Sequence, residues 1–228
     1  MSAPIDTARA TGLAYLAMAV AGAVGHVALS PDVFDASDPA GSLASIAAHE
    51  PVARAVLVLE LVLVVTQALT ALGFYRLFRP VDSFLAGSLA AFGLVNAVAI
   101  LGSSAALATA LEIALDPGAG AEGTVQAALL TSDNFWDAGA LFFGLWLIPM
   151  GLLVLRAGWG PRAFGHILVV GGALYVASGF VLALLPNATA LADVLALPAT
   201  VGEVWMIGWL LIRGERRPAV APAAAVTA

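Results

Sequence analysis

Apolar residues in this chain fall into six long runs, over about residues 12–30, 52–76, 84–112, 135–156, 165–186 and 197–213. Each run supplies the roughly 20 apolar residues needed to cross about 30 Å of hydrocarbon. A segment in hydrocarbon must satisfy its own backbone, and the short alternating strands of a closed barrel are absent, so each run predicts a helix. The expected fold is all-α: a polytopic transmembrane bundle of six helices forming a single domain over residues 1–215. The first run differs from a cleaved secretory signal, because it contains His26 and its small-residue stretch Ala28-Leu29-Ser30 is followed by Pro31. The tail over residues 216–228, within "RRPAVAPAAAVTA", has no pattern that buries anything and reads as disordered.

The connections differ in length. Residues 76–83 and 157–164 are short and carry Pro80 and Pro161, which predicts tight antiparallel hairpins. On the other side, "SPDVFDASDPAGSLASIAAHE" and "DPGAGAEGTVQAALLTSDN" are longer. Both open on Asp, Pro and Gly turn signals, followed by a stretch suited to a short amphipathic helix on the membrane surface.

Composition agrees with this pattern and narrows the chemistry. Hydrophobic residues make up 61% of the chain and charged residues 11%, with a mean hydropathy of +0.99, well outside the range of soluble globular chains. There are no cysteines, which excludes disulfides, thiolate metal sites and thiol nucleophiles. All nine basic residues are arginine, and alanine and glycine are abundant, as in a GC-rich bacterial genome. With both termini cytoplasmic, Arg54 is the one arginine of the nine placed outside, so the positive-inside rule fixes that orientation in a multi-pass protein of the cell membrane. The opposite face collects most of the acids, and nothing in the pattern supports nucleic-acid binding. Arg216 and Arg217 are either topology signals or contacts to anionic lipid worth about 1 kcal/mol each.

Polar groups inside the hydrocarbon are expensive and therefore mark candidate sites. Glu60 lies roughly 13 Å into the second span and Glu203 roughly 9 Å into the sixth, counted from the outer ends at about 1.5 Å per residue. Asp137 lies about one turn into the fourth span. His26 is near the outer end of the first span, on a helix with a small-residue stripe at Ala17, Ala21 and Gly25. His49, Glu60 and Gln67 fall within about 40° on a helical wheel, so Glu60 and Gln67 should face the bundle interior. Asn96 is mid-span. Trp205 is close to Glu203 in height and is placed to wall a cation site. Trp136 and Trp159 read as an aromatic belt at the two ends of the fourth span.

If these helices pack with the polar groups inward, His26, Glu60, Asp137, Glu203 and Trp205 line one outward-facing pocket for a small polar or cationic ligand or for protons, in a transport-related role. Each has a structural reading beside it. Asp137, with Asp133 and Asn134, suits the cap of a helix start. Arg54 follows Glu50 by four residues and suits a local ion pair. The Gly-Ser-Ser at 102–104 permits close helix packing. Two alternative functions stay open: a structural or partner-binding membrane subunit without a site, and a lipid-modifying enzyme with paired carboxylates as acid and base. No metal or cofactor is expected, since there is no HExxH, paired haem histidine or phosphate loop, and the lipid bilayer is the one partner that composition implies. Oligomeric state is not legible.

The stretch "LFFGLWLIPMGLLVLRAGWGPRAFGHILVVGGALYVASGF", residues 141–180, resembles the most characteristic part of a bacterial six-span membrane family, domain of unknown function 4386. It has the Phe-Phe-Gly-Leu opening, a Gly-containing helix ending in Arg, a Pro-Arg turn and a glycine-rich helix with a Tyr. "ARATGLAYLAMAVAG" is similar to that family's first span and "GEVWMIGWLLIRG" to its last. The resemblance implies the six-span topology and no particular activity. Trp146 stands where the family pattern leads one to expect His, which argues against a metal or proton role there.

Overall fold

Every one of the six apolar runs folds as a single helix in the computed structural model, which describes residues 6–185 and 187–213. The expected tail, with Arg216 and Arg217, lies outside the described residues. Among those, seven α-helices and no strands occur: α1 (Thr7–Gly22), α2 (Pro39–Ala48), α3 (Glu50–Phe78), α4 (Ser83–Leu115), α5 (Ala121–Ala157), α6 (Arg162–Leu184) and α7 (Thr189–Arg213). Beyond Gly22, α1 continues as a π-helical segment, Ala23–Leu29, and a 3-10 turn, Ser30–Asp32. All but α2 are long and apolar enough to span a membrane, and the large hydrophobic side chains they expose, such as Val58, Leu72 and Val98, suit contact with lipid.

The spans close into a ring. Each of α3 to α7 packs on its sequence neighbour, and α1 sits between α3 and α7. One end of the bundle carries Arg9, Arg76, Arg156, Arg162 and Arg213, and the other carries Asp32, Asp38, Glu50, Glu112 and Asp116. In the arginine half the ring is filled by Tyr15, Phe74, Phe78, Trp146, Phe164 and Met206, all fully buried.

Two helices are longer than hydropathy alone indicates. The α5 helix starts at Ala121, after Gly120 in the left-handed region at φ 78°, and not at residue 135. At 37 residues it is about 55 Å long, far more than the hydrocarbon core requires. The segment expected as a surface helix after "DPGAGAE" is instead the first four turns of α5. The reason is packing: Val125 and Leu129 join Ile46 of α2, Val56 of α3, and Leu107 and Leu111 of α4 in a second apolar cluster at the acid-rich end. The first long connection does form its short helix, α2, capped by Asp38 on the Gly41 amide at 2.9 Å. Similarly, α7 begins at Thr189, eight residues before the expected start, and runs through Pro198. At that level the α6 backbone comes close, so a Cβ on Gly171 would stand 2.7 Å from the Ala199 nitrogen.

At the arginine end Asp82 accepts from the Phe84 and Leu85 amides at 3.0 Å each, which caps α4, and also accepts from the Arg156 guanidinium. Asp82→Ala is expected to cost about 1 kcal/mol, mostly from the lost cap, since an exposed ion pair adds less. In a thermal melt Asp82→Asn should retain most of the lost stability.

Candidate functional site

The lining of one cavity, of about 370 Å³, draws on all six spans. Counted from the arginine end at about 1.5 Å per residue, Tyr15, Glu203 and Gln67 lie at roughly 12–17 Å and form its floor. Asn96 and Tyr175 lie near 20 Å, and His26 and Trp136 near 30 Å, on the same approximate count. Between them the wall is apolar, with Leu63, Ile100 and Phe143, while Met18 and Ile207 close the lower part.

The exposed members of the lining all belong to two helices: Ala19, Ala23 and Val27 of α1 and its continuation, and Thr200 and Val204 of α7. Those helices touch in the arginine half, where Gly12 lies against Leu210 and Tyr15 meets Glu203. Above that contact they part, so the cavity opens sideways between α1 and α7. Its rim is apolar, with Val204 66% exposed and Val27 71% exposed. Beside this opening, α1 leaves α-helical geometry for the π-helical segment that carries His26, a distortion frequent at functional sites.

Glu203 is half-buried on the floor. Tyr15, itself 1% exposed, donates its hydroxyl hydrogen to Glu203 Oε1. The Tyr15 ring is held edge-on by Phe74 and Trp146, at centroid distances of 5.7 and 5.4 Å. Above it, Phe143 and Tyr175 pack at 5.4 Å. Gln67 is 1% exposed and Asn96 4%. No described protein group pairs with either polar atom of the Gln67 amide or with Asn96 Oδ1, while Asn96 Nδ2 donates to the Gly139 carbonyl at 2.8 Å. Buried groups of this kind normally have a partner.

Glu60 is held apart from the cavity by its own hydrogen-bond partners. It is 2% exposed and is not part of the cavity wall. Its Oε2 accepts from Ser104 Oγ at 2.8 Å, and Ser103 Oγ reaches both carboxylate oxygens, at 3.2 and 3.4 Å. The Trp136 indole donates to Oε1 at 3.0 Å. Ser103 Oγ also lies 2.8 Å from Ser132 Oγ. The Gly-Ser-Ser segment thus does two things: Gly102 admits Phe135, whose ring would stand 2.6 Å from a Cβ there, and the serines hold Glu60.

The five residues singled out in the sequence therefore separate. His26 and Glu203 line the cavity, Glu60 is next to it behind Trp136, and Asp137 and Trp205 are not part of its wall, though Asp137 is within electrostatic reach of His26 and Tyr175. Asp137 is exposed on α5. Neither it nor Asp133 caps a helix start, because α5 begins more than ten residues earlier. Trp205 stacks on Phe164 at 4.8 Å, in the arginine half. Trp136 is no belt residue: it lies inside the bundle, with its indole on Glu60 and its ring stacked on His26 at 3.9 Å. His49 and His166 are exposed on α2–α3 and α6 respectively, away from the cavity.

The family model of a domain of unknown function (DUF4386) matches residues 10–214, the whole of the bundle just described. The chain belongs to the DUF4386 family. No curated protein and no solved structure matches it. What this DUF4386 protein does must accordingly be read from its own cavity.

Proposed function

We propose that this DUF4386 protein binds a small lipophilic organic cation, taken laterally from the bilayer through the gap between α1 and α7. One observation carries the reading: among the described residues Glu203 is the single carboxylate of the lining, no arginine joins it there, and four aromatic rings line the same cavity. A carboxylate at mid-membrane favours a cationic partner. Tyr15, Trp136, Phe143 and Tyr175 supply aromatic rings whose faces attract a cation. The apolar rim and wall suit an alkyl body, and the volume is within the range of small-molecule sites. Gln67 and Asn96 supply hydrogen-bonding capacity for a polar occupant or its accompanying water. A paired-carboxylate enzyme finds less support, because Glu60 is bonded to Ser103 and Ser104 outside the cavity wall and leaves Glu203 without a second acid among the described lining residues.

The test is a thermal shift on purified protein in lipid nanodiscs with three probes of equal chain length: hexyltrimethylammonium, hexanol and hexyl sulfate. The cation should raise the melting temperature and the other two should not. Equal responses to all three would reject a cation site.

A further inference from the structure

The surroundings of Glu60 differ in chemistry from the cavity. A carboxylate buried in the bundle carries a net charge that hydrogen bonds from neutral groups reduce but do not cancel. Among the described residues the ion pairs are Arg9–Asp6, Arg54–Glu50 and Arg156–Asp82, and none involves Glu60. Gly102 and Phe135 bring α4 and α5 into contact beside it.

Apart from the Trp136 indole, its polar neighbours are hydroxyl oxygens. Ser104 Oγ lies 2.8 Å from Oε2, Ser103 Oγ within 3.4 Å of both carboxylate oxygens, and Ser132 Oγ 2.8 Å from Ser103 Oγ. A hydroxyl can turn its hydrogen toward a carboxylate or its lone pairs toward a cation. The indole of Trp136 can only donate, and it fixes Oε1, so Oε2 and the three hydroxyls are the group that can reorient. Oxygen-only ligation suits a hard ion, and one negative charge balances one positive charge.

We infer that Glu60, Ser103, Ser104 and Ser132 form a buried site for a monovalent alkali cation of sodium size, contributed by α3, α4 and α5 and separate from the organic-cation cavity. Trp136 is the shared wall. Its indole N–H holds Glu60 and its ring lines the cavity.

The experiment is a melt of the protein in nanodiscs, titrating NaCl against KCl at constant total salt and at several pH values. Saturating sodium should raise the melting temperature by about 5 °C relative to potassium. Ser132→Ala and Ser104→Ala, each lacking one hydroxyl, should shift the sodium midpoint upward about tenfold, and Glu60→Gln should abolish the response. Glu203→Gln should leave it unchanged. Equal melting in sodium and potassium, a melt that follows pH alone, or a sodium response that survives both serine variants would overturn the assignment. A response lost in Glu203→Gln would also overturn it, by moving the ion into the cavity.

Discussion

Glu203→Gln is expected to lower the affinity for hexyltrimethylammonium by at least about 100-fold, measured by calorimetric titration in nanodiscs. The substitution keeps the shape of the side chain, and the amide oxygen can still accept from Tyr15, so the floor of the cavity stays assembled. What it removes is the capacity to carry a negative charge opposite a bound cation. Losing one member of a desolvated charge pair costs about 2–5 kcal/mol, and a factor of about 100 corresponds to about 2.7 kcal/mol. Tyr15→Phe should have a smaller effect, since the charge remains and only its positioning bond is lost. Two variants serve as controls. Trp205→Phe, at a ring stacked on Phe164, should not alter affinity. Asp137→Asn, outside the lining but close enough to act electrostatically on His26 and Tyr175, should lower it far less than Glu203→Gln. Unchanged binding in Glu203→Gln would rule out the organic-cation reading, whatever the controls do.

Those two control residues show where the sequence is legible and where it is not. The spans are readable because hydrocarbon imposes a length and a composition on each, and the facing of Glu60 and Gln67 follows from helical period: both are buried. The period cannot say that they face different compartments. They are seven residues apart in the chain, roughly 10 Å along α3, and that distance separates the Ser103–Ser104 chamber from the cavity floor. Asp133, Asn134 and Asp137 look like a helix start because acids and Asn favour caps. The helix runs through them because the preceding segment, Ala121–Ser132, buries Val125 and Leu129 beneath α2, a tertiary contact that hydropathy does not register. Trp136 looks like a belt residue for the same reason: a span starting near residue 135 would put it at the membrane surface.

The partner of Glu203 is harder still to foresee. Tyr15 lies 188 residues away in sequence, and only the closure of the ring between α1 and α7 makes them neighbours. Depth is equally hidden. Because α7 starts at Thr189, Glu203 is roughly 21 Å from that end and not the roughly 9 Å that a start near residue 197 gives. An acid expected near the surface is thus at the floor of the cavity, where water has less access and a charged partner counts for more.

Gly172→Ala and Gly179→Ala lie about two turns apart on α6 and are expected to behave oppositely in a thermal melt. Between α5 and α6 the backbones meet at two glycine pairs, Gly144 with Gly172 and Gly151 with Gly165. A Cβ on Gly172 would stand 2.7 Å from the Gly144 carbonyl oxygen and 2.9 Å from Leu147 Cβ, and the first of these is helix backbone that cannot rotate aside. The helices must separate, and overpacking of this kind costs about 1–3 kcal/mol. In a membrane the cost is not recovered by hydrophobic burial, because lipid tails solvate the parted faces as well as a neighbouring helix does. A fall of several degrees in melting temperature is the expected result. A Cβ on Gly179 would meet nothing within 4 Å, so alanine there gains helix propensity, at most about 1 kcal/mol, and should leave the melt unchanged or slightly raised. Equal melting of the two variants would mean that the glycine seam does not hold α5 to α6. The residues that these helices place in the cavity, Trp136 and Phe143 from one and Tyr175 from the other, would then owe their spacing to some other contact.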